Sequence, residues 1–249
     1  MKNSDKAVIV RNLVKRFGSF EALKGISFSV EKGEVYGLIG PNGAGKTTTF
    51  RILSTLILPT YGEAYVEGFD VVRDAENVRK IISYLPEEAG SYKNIKGIEY
   101  LDMISRIYYR GKEADEVLEE GIKISGLSER DLRRPMKEYS KGMKRRIQVA
   151  RALMIRPRVA ILDEPTVGLD PIQKKEIRDT IRRYSKEKGI TVLFSTHEMK
   201  EAEELCDRVA IIDEGLILSE GYIKDLLSIT GSRDLDEAFI KLVRERRAI

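Results

Sequence analysis

The chain has 249 residues, 42% hydrophobic and 34% charged, with a formal net charge of +4. That length can bury a full core without staples, and that balance excludes a disordered chain. The mild, dispersed positive charge argues against a nucleic-acid partner, which needs a massed basic patch. No run approaches the ~18–20 apolar residues of a membrane span, so work at a membrane would require another chain to supply the membrane part.

The densest basic runs, Lys144-Arg145-Arg146 and Arg244-Glu245-Arg246-Arg247, read as solvated helix faces. Cys206 is the only cysteine, which leaves no disulfide framework and fits a reducing cytoplasm. The first residues lack an apolar h-region and do not read as a signal peptide. Lys, Arg and Glu are abundant and Gln148 and Gln173 are the only glutamines, a composition that points to a thermophilic source.

Taken in order, "AVIVRNLVKRFG" and "ALKGISFSVEKGE" alternate apolar and polar residues as strands do, with Gly18 and Gly33 marking turns. The short apolar run "EVYGLIG" reads as a buried strand and leads into a helix after "GPNGAGKT". "GEAYVEGFDV" reads as a strand pair, and "DAENVRKIISYLP" as a helix and then a strand. From about Ile95 to Arg156 the pattern is helical. Its last helix starts after Ser140, with Met143, Ile147, Ala150 and Met154 on one face and Lys144 and Arg151 turned away. Beyond it, "VAILDE", "PIQKKEIRDTIRRYSKEKG", "TVLFST", "EMKEAEELC" and "RVAIID" alternate strand and helix, the signature of a mostly parallel sheet flanked by helices. The expected fold is therefore α/β: a phosphate-loop core with a mostly parallel sheet, an antiparallel β part near the N-terminus and an inserted all-helical subdomain. Residues 1–86 and 157–221 form the core, 87–156 the helical subdomain and 222–249 a helical C-terminal extension.

Three stretches carry chemistry. "GPNGAGKT" spans Gly40, Pro41, Asn42, Gly43, Ala44, Gly45, Lys46 and Thr47, followed by Thr48, and it links a buried strand to a helix. Its glycines let backbone N–H groups turn around phosphates, and the helix start adds partial positive charge. Lys46 reaches the β- and γ-phosphates in such a loop, and the Thr47 hydroxyl ligates Mg²⁺. "VAILDEP" delivers Asp163 and Glu164 to the carboxyl end of the sheet, Asp163 suited to Mg²⁺ and Glu164 to activating an attacking water; without the loop it would read as an acidic turn. In "YSKGMKRR", Ser140 and the Gly142 N–H open a helix, which is either an anion site or an ordinary cap. His197, the only histidine, follows "TVLFST"; alone it reads as a surface histidine at a helix start.

The order of these stretches, with "GLD" at 168–170 between the acidic strand and the histidine, resembles the ATP-binding cassette (ABC) ATPases from about Ala7 to Gly221. The resemblance implies ATP and Mg²⁺ as ligands. It makes His197 a switch residue whose Nε2–H contacts the γ-phosphate, and Phe17 the aromatic that stacks on adenine. Ser140, Gly142 and Asp170 become groups that meet the ATP of a second ATPase subunit, with a homodimer expected. Catalysis then falls to Glu164, His197 and Lys46. Two departures stand out. Glu87, in "YLPEEAG", replaces the family's usual glutamine near Mg²⁺, adding a negative charge. Lys141 and Met143 replace a glycine and a glutamine. "YLPEE" and "DLDEAFIKLV" are most similar to subunits of exporters with a separate polytopic permease, which implies a peripheral location on the cytoplasmic face of the membrane. A soluble ABC ATPase in cluster assembly or another non-transport process is the alternative; a small-molecule kinase would have no use for Ser140 and His197.

Overall fold

The structure is a computed structural model that describes residues 5–90 and 92–247. The first residues of the stretch read against a signal peptide, and the last two of the C-terminal extension, lie outside the described residues.

Two long strands, β1 (Lys6–Phe17) and β2 (Phe20–Glu31), form a hairpin. After them come β3 (Val35–Ile39), α1 (Lys46–Leu53), β4 (Tyr61–Val66), β5 (Phe69–Asp70), α2 (Ala75–Ile81) and β6 (Ile82–Leu85). The helical stretch holds α3 (Gly97–Tyr108), α4 (Gly111–Ser125), the short α5 (Glu129–Leu132), a 3₁₀ turn (Met136–Glu138) and α6 (Lys141–Met154). The chain then alternates through β7 (Val159–Asp163), α7 (Pro171–Lys188), β8 (Thr191–Thr196), α8 (Met199–Leu205) and β9 (Arg208–Asp213). It closes with β10 (Leu216–Tyr222), α9 (Ile223–Thr230) and α10 (Leu235–Arg247). β10 was not foreseen; it pairs antiparallel with β9 across the Glu214-Gly215 turn.

The first sheet is antiparallel, in the order β2-β1-β4-β5. The second has six strands in the order β10-β9-β3-β8-β7-β6, and every pair except β9–β10 is parallel. Its central strands are buried on both faces, which is why they read as unbroken apolar runs. Alternation still divides them. Val35, Ala160, Leu162, Val192 and Phe194 pack toward the helical stretch and α7. Tyr36, Leu38, Val159, Ile161 and Leu193 pack toward α1 and the antiparallel sheet. The six-stranded sheet is thus shared by two cores, and a large deletion such as Phe194→Ala would cost about 3–5 kcal/mol. Among the described residues, no helix is long and apolar enough to cross a membrane.

The register of this sheet creates the site. Ile39 pairs with Thr196, and Asp163 with Ser195. The residues that follow these strand ends, Gly40, Glu164 and His197, therefore emerge side by side at the carboxyl edge, where open α/β sheets bind ligands.

Basic side chains on α6 depart from expectation. Arg145 is buried, 6% exposed, and is no solvated residue. The guanidinium of Arg151 donates to the Tyr84 carbonyl at 2.8 Å and is not turned away. Arg146 pairs with Glu176 on α7. In the tail, Arg246 pairs with Asp213 and Glu214. Arg145 lies three residues after Gly142 and four before Val149, both buried, so helical spacing puts it on the inner face.

Candidate active site

The phosphate loop runs from β3 to α1. Gly40 passes so close to the Ile212 carbonyl that a side chain there would run into it. The loop is tied down by Ala44 N donating to the Pro41 carbonyl (3.2 Å) and Gly215 N donating to the Ala44 carbonyl (2.9 Å). Gly45, at φ +113°, is the N-cap of α1, and no side chain caps that helix. Its first-turn N–H groups and the positive end of its dipole thus remain for an anion.

Lys46 is only 5% exposed. Its ammonium donates to the carbonyls of Gly40 (2.6 Å) and Pro41 (3.1 Å) and lies 3.3 Å from Glu164 Oε1. Glu164 is equally buried and sits at φ +46°, a left-handed conformation uncommon for a residue with a side chain. Strain of this kind is found at functional sites. Oε2 of Glu164 lies 2.9 Å from His197 Nδ1, so Lys46, Glu164 and His197 form one chain of contacts. Burial pushes the Glu164 carboxyl above its usual range, against the lowering effect of Lys46 and His197. A carboxylate that binds a proton more readily is a better general base. An ionised Glu164 only accepts hydrogen bonds, so in this contact Nδ1 of His197 carries the proton. Donation from Nε2–H to a γ-phosphate then requires a second proton on the ring or a protonated Glu164.

Asp163 ends β7 with no exposure. Ser195 Oγ donates to Asp163 Oδ1 at 2.6 Å and itself accepts from Glu164 N at 2.9 Å. Tyr84 OH faces Asp163 Oδ2 at 3.4 Å; burial, then the charge of Asp163, push that phenol up to about 12. Behind His197, Thr196 Oγ1 donates to the buried Glu201 (2.7 Å) and accepts from Glu198 N (3.0 Å), which fixes the turn that carries the ring. Ser195, Tyr84 and Glu201 gave no signal in the sequence, because each is defined by a partner on another element.

A pocket of about 350 Å³ opens in front of the loop. Phe17, the run from Asn42 to Thr48, Glu87 and Glu164 line it. Phe20 lines it too and was not foreseen. Phe17 and Phe20 pair across the hairpin turn, so their rings share one face, and both are largely exposed. A two-residue "GS" turn between two phenylalanines was the legible signal. Lys15 Nζ lies 4.8 Å from the Phe17 ring centre, a cation over a π face. Gly40, Pro41, Asp163 and His197 do not line this pocket; they stand behind or beside it.

Ser140, Gly142 and Asp170 lie apart from it. Ser140 is the exposed N-cap of α6; its Oγ accepts from Met143 N at 3.2 Å, which leaves its O–H to donate elsewhere. Gly142 packs against the amide of Gln173. Asp170, exposed, is the N-cap of α7, accepting from Gln173 N at 2.9 Å with Pro171 at the first helical position. The two caps adjoin through Gln173 and present two helix starts to solvent.

The oxygen donors Thr47, Asp163 and Glu87 are those a hard divalent cation such as Mg²⁺ prefers. Among the described residues, no group of three or more His, Cys, Asp or Glu side chains could hold a metal alone.

Comparison with known proteins points the same way. The family described as ABC transporter matches residues 23–167. The chain is 39% identical over 239 residues to a daunorubicin resistance ATP-binding protein of Streptomyces coeruleorubidus, covering 94% of this chain and 73% of that one. It is 37% identical to a linearmycin resistance ATP-binding protein of Bacillus subtilis, covering 94% and 77%. Among solved structures, an ATP-binding subunit of an ABC transporter superposes with a TM-score of 0.84 at 28% identity, covering 95% of this chain and 99% of that one. A dimeric ATP-binding cassette in a post-hydrolysis state, bound to ADP and Pi, superposes at 0.77 with 26% identity, covering 86% and 98%.

Proposed function

The chain belongs to the ABC transporter family, and from that premise we propose that it is the ATP-hydrolysing subunit of an exporter whose membrane part is a separate polytopic permease. It binds ATP and hydrolyses it to ADP and phosphate to power transport, as the family does. Relatives named for drug resistance support export and count against a soluble role in cluster assembly. The proposed location is the cytoplasmic face of the membrane, held there by the permease.

The observation that carries the mechanism is the contact chain Lys46–Glu164–His197 beside a phosphate loop. Adenine stacks on Phe17, flanked by Phe20, where only a π face is needed. The triphosphate lies along Asn42 to Thr48 against the uncapped start of α1. Lys46 turns from the Gly40 and Pro41 carbonyls to the β- and γ-phosphates, and this frees Glu164 from its ion pair. Glu164 then takes a proton from the attacking water, and His197 orients the water and the γ-phosphate. Thr47, Asp163 and Glu87 would hold Mg²⁺, which supplies charge neutralisation on the phosphate oxygens. Dimeric solved relatives support a second ATPase subunit; Ser140, Gly142 and Asp170 are the groups it would present to the first subunit's ATP. The helical segment 87–156 would carry Ser140 and Gly142 and meet the permease.

Glu164→Gln tests this reading. ATP binding should persist while hydrolysis falls roughly 10²-fold or more. An ATP-dependent dimer should accumulate on size exclusion, because the closed state is no longer discharged. Near-normal turnover would remove Glu164 as the base.

A further inference from the structure

Among the described residues, Arg145 is the side chain whose hydrogen bonds hold the loop of Glu87 and the strand end of Glu164 together. Its Nε donates to the Pro165 carbonyl at 2.6 Å. Nη2 donates to the carbonyls of Asp163 (3.1 Å) and Glu164 (2.5 Å). Nη1 donates to those of Pro86 (3.1 Å) and Glu87 (3.2 Å). A guanidinium has five N–H donors, and here each has a main-chain acceptor. Burial lowers its pKa to about 10, and the charges of Asp163, Glu87 and Glu164 act in the opposite direction. Burying a cation without a direct carboxylate partner is costly, and full hydrogen bonding is what makes it tolerable. The strained residue is thus held on both sides, Glu164 N by Ser195 Oγ and Glu164 O by the Arg145 fork.

We propose that Arg145 is a positioning residue for hydrolysis, a five-bond clamp that holds Glu164 in its left-handed conformation and ties it to the Glu87 loop and to α6. The inference rests on Glu164 being the base. The consequence is mechanical. α6 begins at Ser140, which faces outward, and about 7.5 Å along the same helix Arg145 grips the catalytic backbone. A shift of α6 when a second chain's nucleotide meets Ser140 is thereby delivered to Glu164 and to Glu87 of the same chain. Lysine cannot substitute: it has three donors and no planar fork.

The test uses Arg145→Lys and Arg145→Gln in the full chain, with kcat, KM and Mg-ATP binding measured separately. In both variants kcat should fall roughly 10²-fold, the scale of a misplaced catalytic group. KM and Mg-ATP affinity should change by less than about threefold, because the clamp touches no nucleotide-lining side chain. In a Glu164→Gln background, Arg145→Lys should lower the residual rate by less than about twofold, since the residue acts through Glu164. Loss of Mg-ATP binding in both variants would mark Arg145 as merely structural and overturn the proposal. So would a further large loss in the Glu164→Gln background. Near-normal kcat in Arg145→Lys beside a severe loss in Glu164→Gln sinks the clamp and leaves the base standing. Near-normal kcat in Glu164→Gln alone removes the base, and the clamp with it.

Discussion

The start of α1 and the start of α6 both offer a helix N-terminus to an anion, yet they are built differently. At α1 the charged groups are complete within the chain: Lys46 and Glu164 are each 5% exposed, paired with one another and continued by His197. At the start of α6 and of the adjoining α7 the polar groups are exposed, and Ser140 and Asp170 spend their oxygens capping their own helices. A buried charge needs an ion-pair or hydrogen-bond partner supplied by the protein, so the first region has to be assembled by one fold. At the second, Ser140, Gly142 and Asp170 bury no charge, so these groups can wait for a partner. A buried edge preassembled in the core and a contact left at the surface suit the proposed site shared between two chains.

Mixing variants would break this contrast most severely. Lys46→Ala disables the internal half and Ser140→Ala the surface half, so each homodimer should be inactive. Random mixing should restore about a quarter of wild-type ATPase activity, because half of the dimers then hold one intact composite site out of two. Full activity of a single chain kept monomeric would end the contrast.

The next largest effect concerns the aromatic pair at the mouth of the internal half. Phe17→Ala should raise KM for ATP about tenfold, in line with the loss of one base stack, while leaving kcat nearly unchanged. Phe20→Ala should have a smaller effect in the same direction. Equal KM values for Phe17→Ala and wild type would show that adenine sits elsewhere.

Glu87 lies between the regions: it lines the nucleotide pocket, and its carbonyl is gripped by α6. A carboxylate there is favoured by Mg²⁺ and repelled by bare triphosphate. Glu87→Gln should narrow, by a few-fold, the gap between ATP affinity with Mg²⁺ and with chelator, and preserve most hydrolysis. An unchanged gap would mean that Glu87 faces away from the metal.

The smallest effect is on stability, and only the buried half should show it. The Glu164 carboxyl is raised by burial, so between its ordinary range and its native value the folded chain binds more protons than the unfolded chain. Stability from this group therefore falls as pH rises through that window. Glu164→Gln removes the term. Without nucleotide or metal, its melting temperature relative to wild type should rise as pH climbs above the ordinary carboxylate range. A difference that stays flat or shrinks over that climb would contradict the burial effect.

What the sequence determined by itself is local. The phosphate loop, the acidic strand end, the Ser140 cap and the strand before His197 are each legible because a few consecutive residues dictate their backbone, through glycines, a cap or an apolar run. Tertiary structure alone decided which of these ends meet. The pairings Ile39–Thr196 and Asp163–Ser195 bring Gly40, Glu164 and His197 together, and no spacing along the chain encodes that register. It also decided that Arg145, flanked by Lys144 and Arg146 and so read as solvated, lies inside. Periodicity treats an arginine as polar, whereas five carbonyls from two other segments supply the solvation that water would have given it. Ser195 escaped for the same reason: a hydroxyl takes its role from the groups it faces, here Asp163 and Glu164, which come from a distant part of the chain.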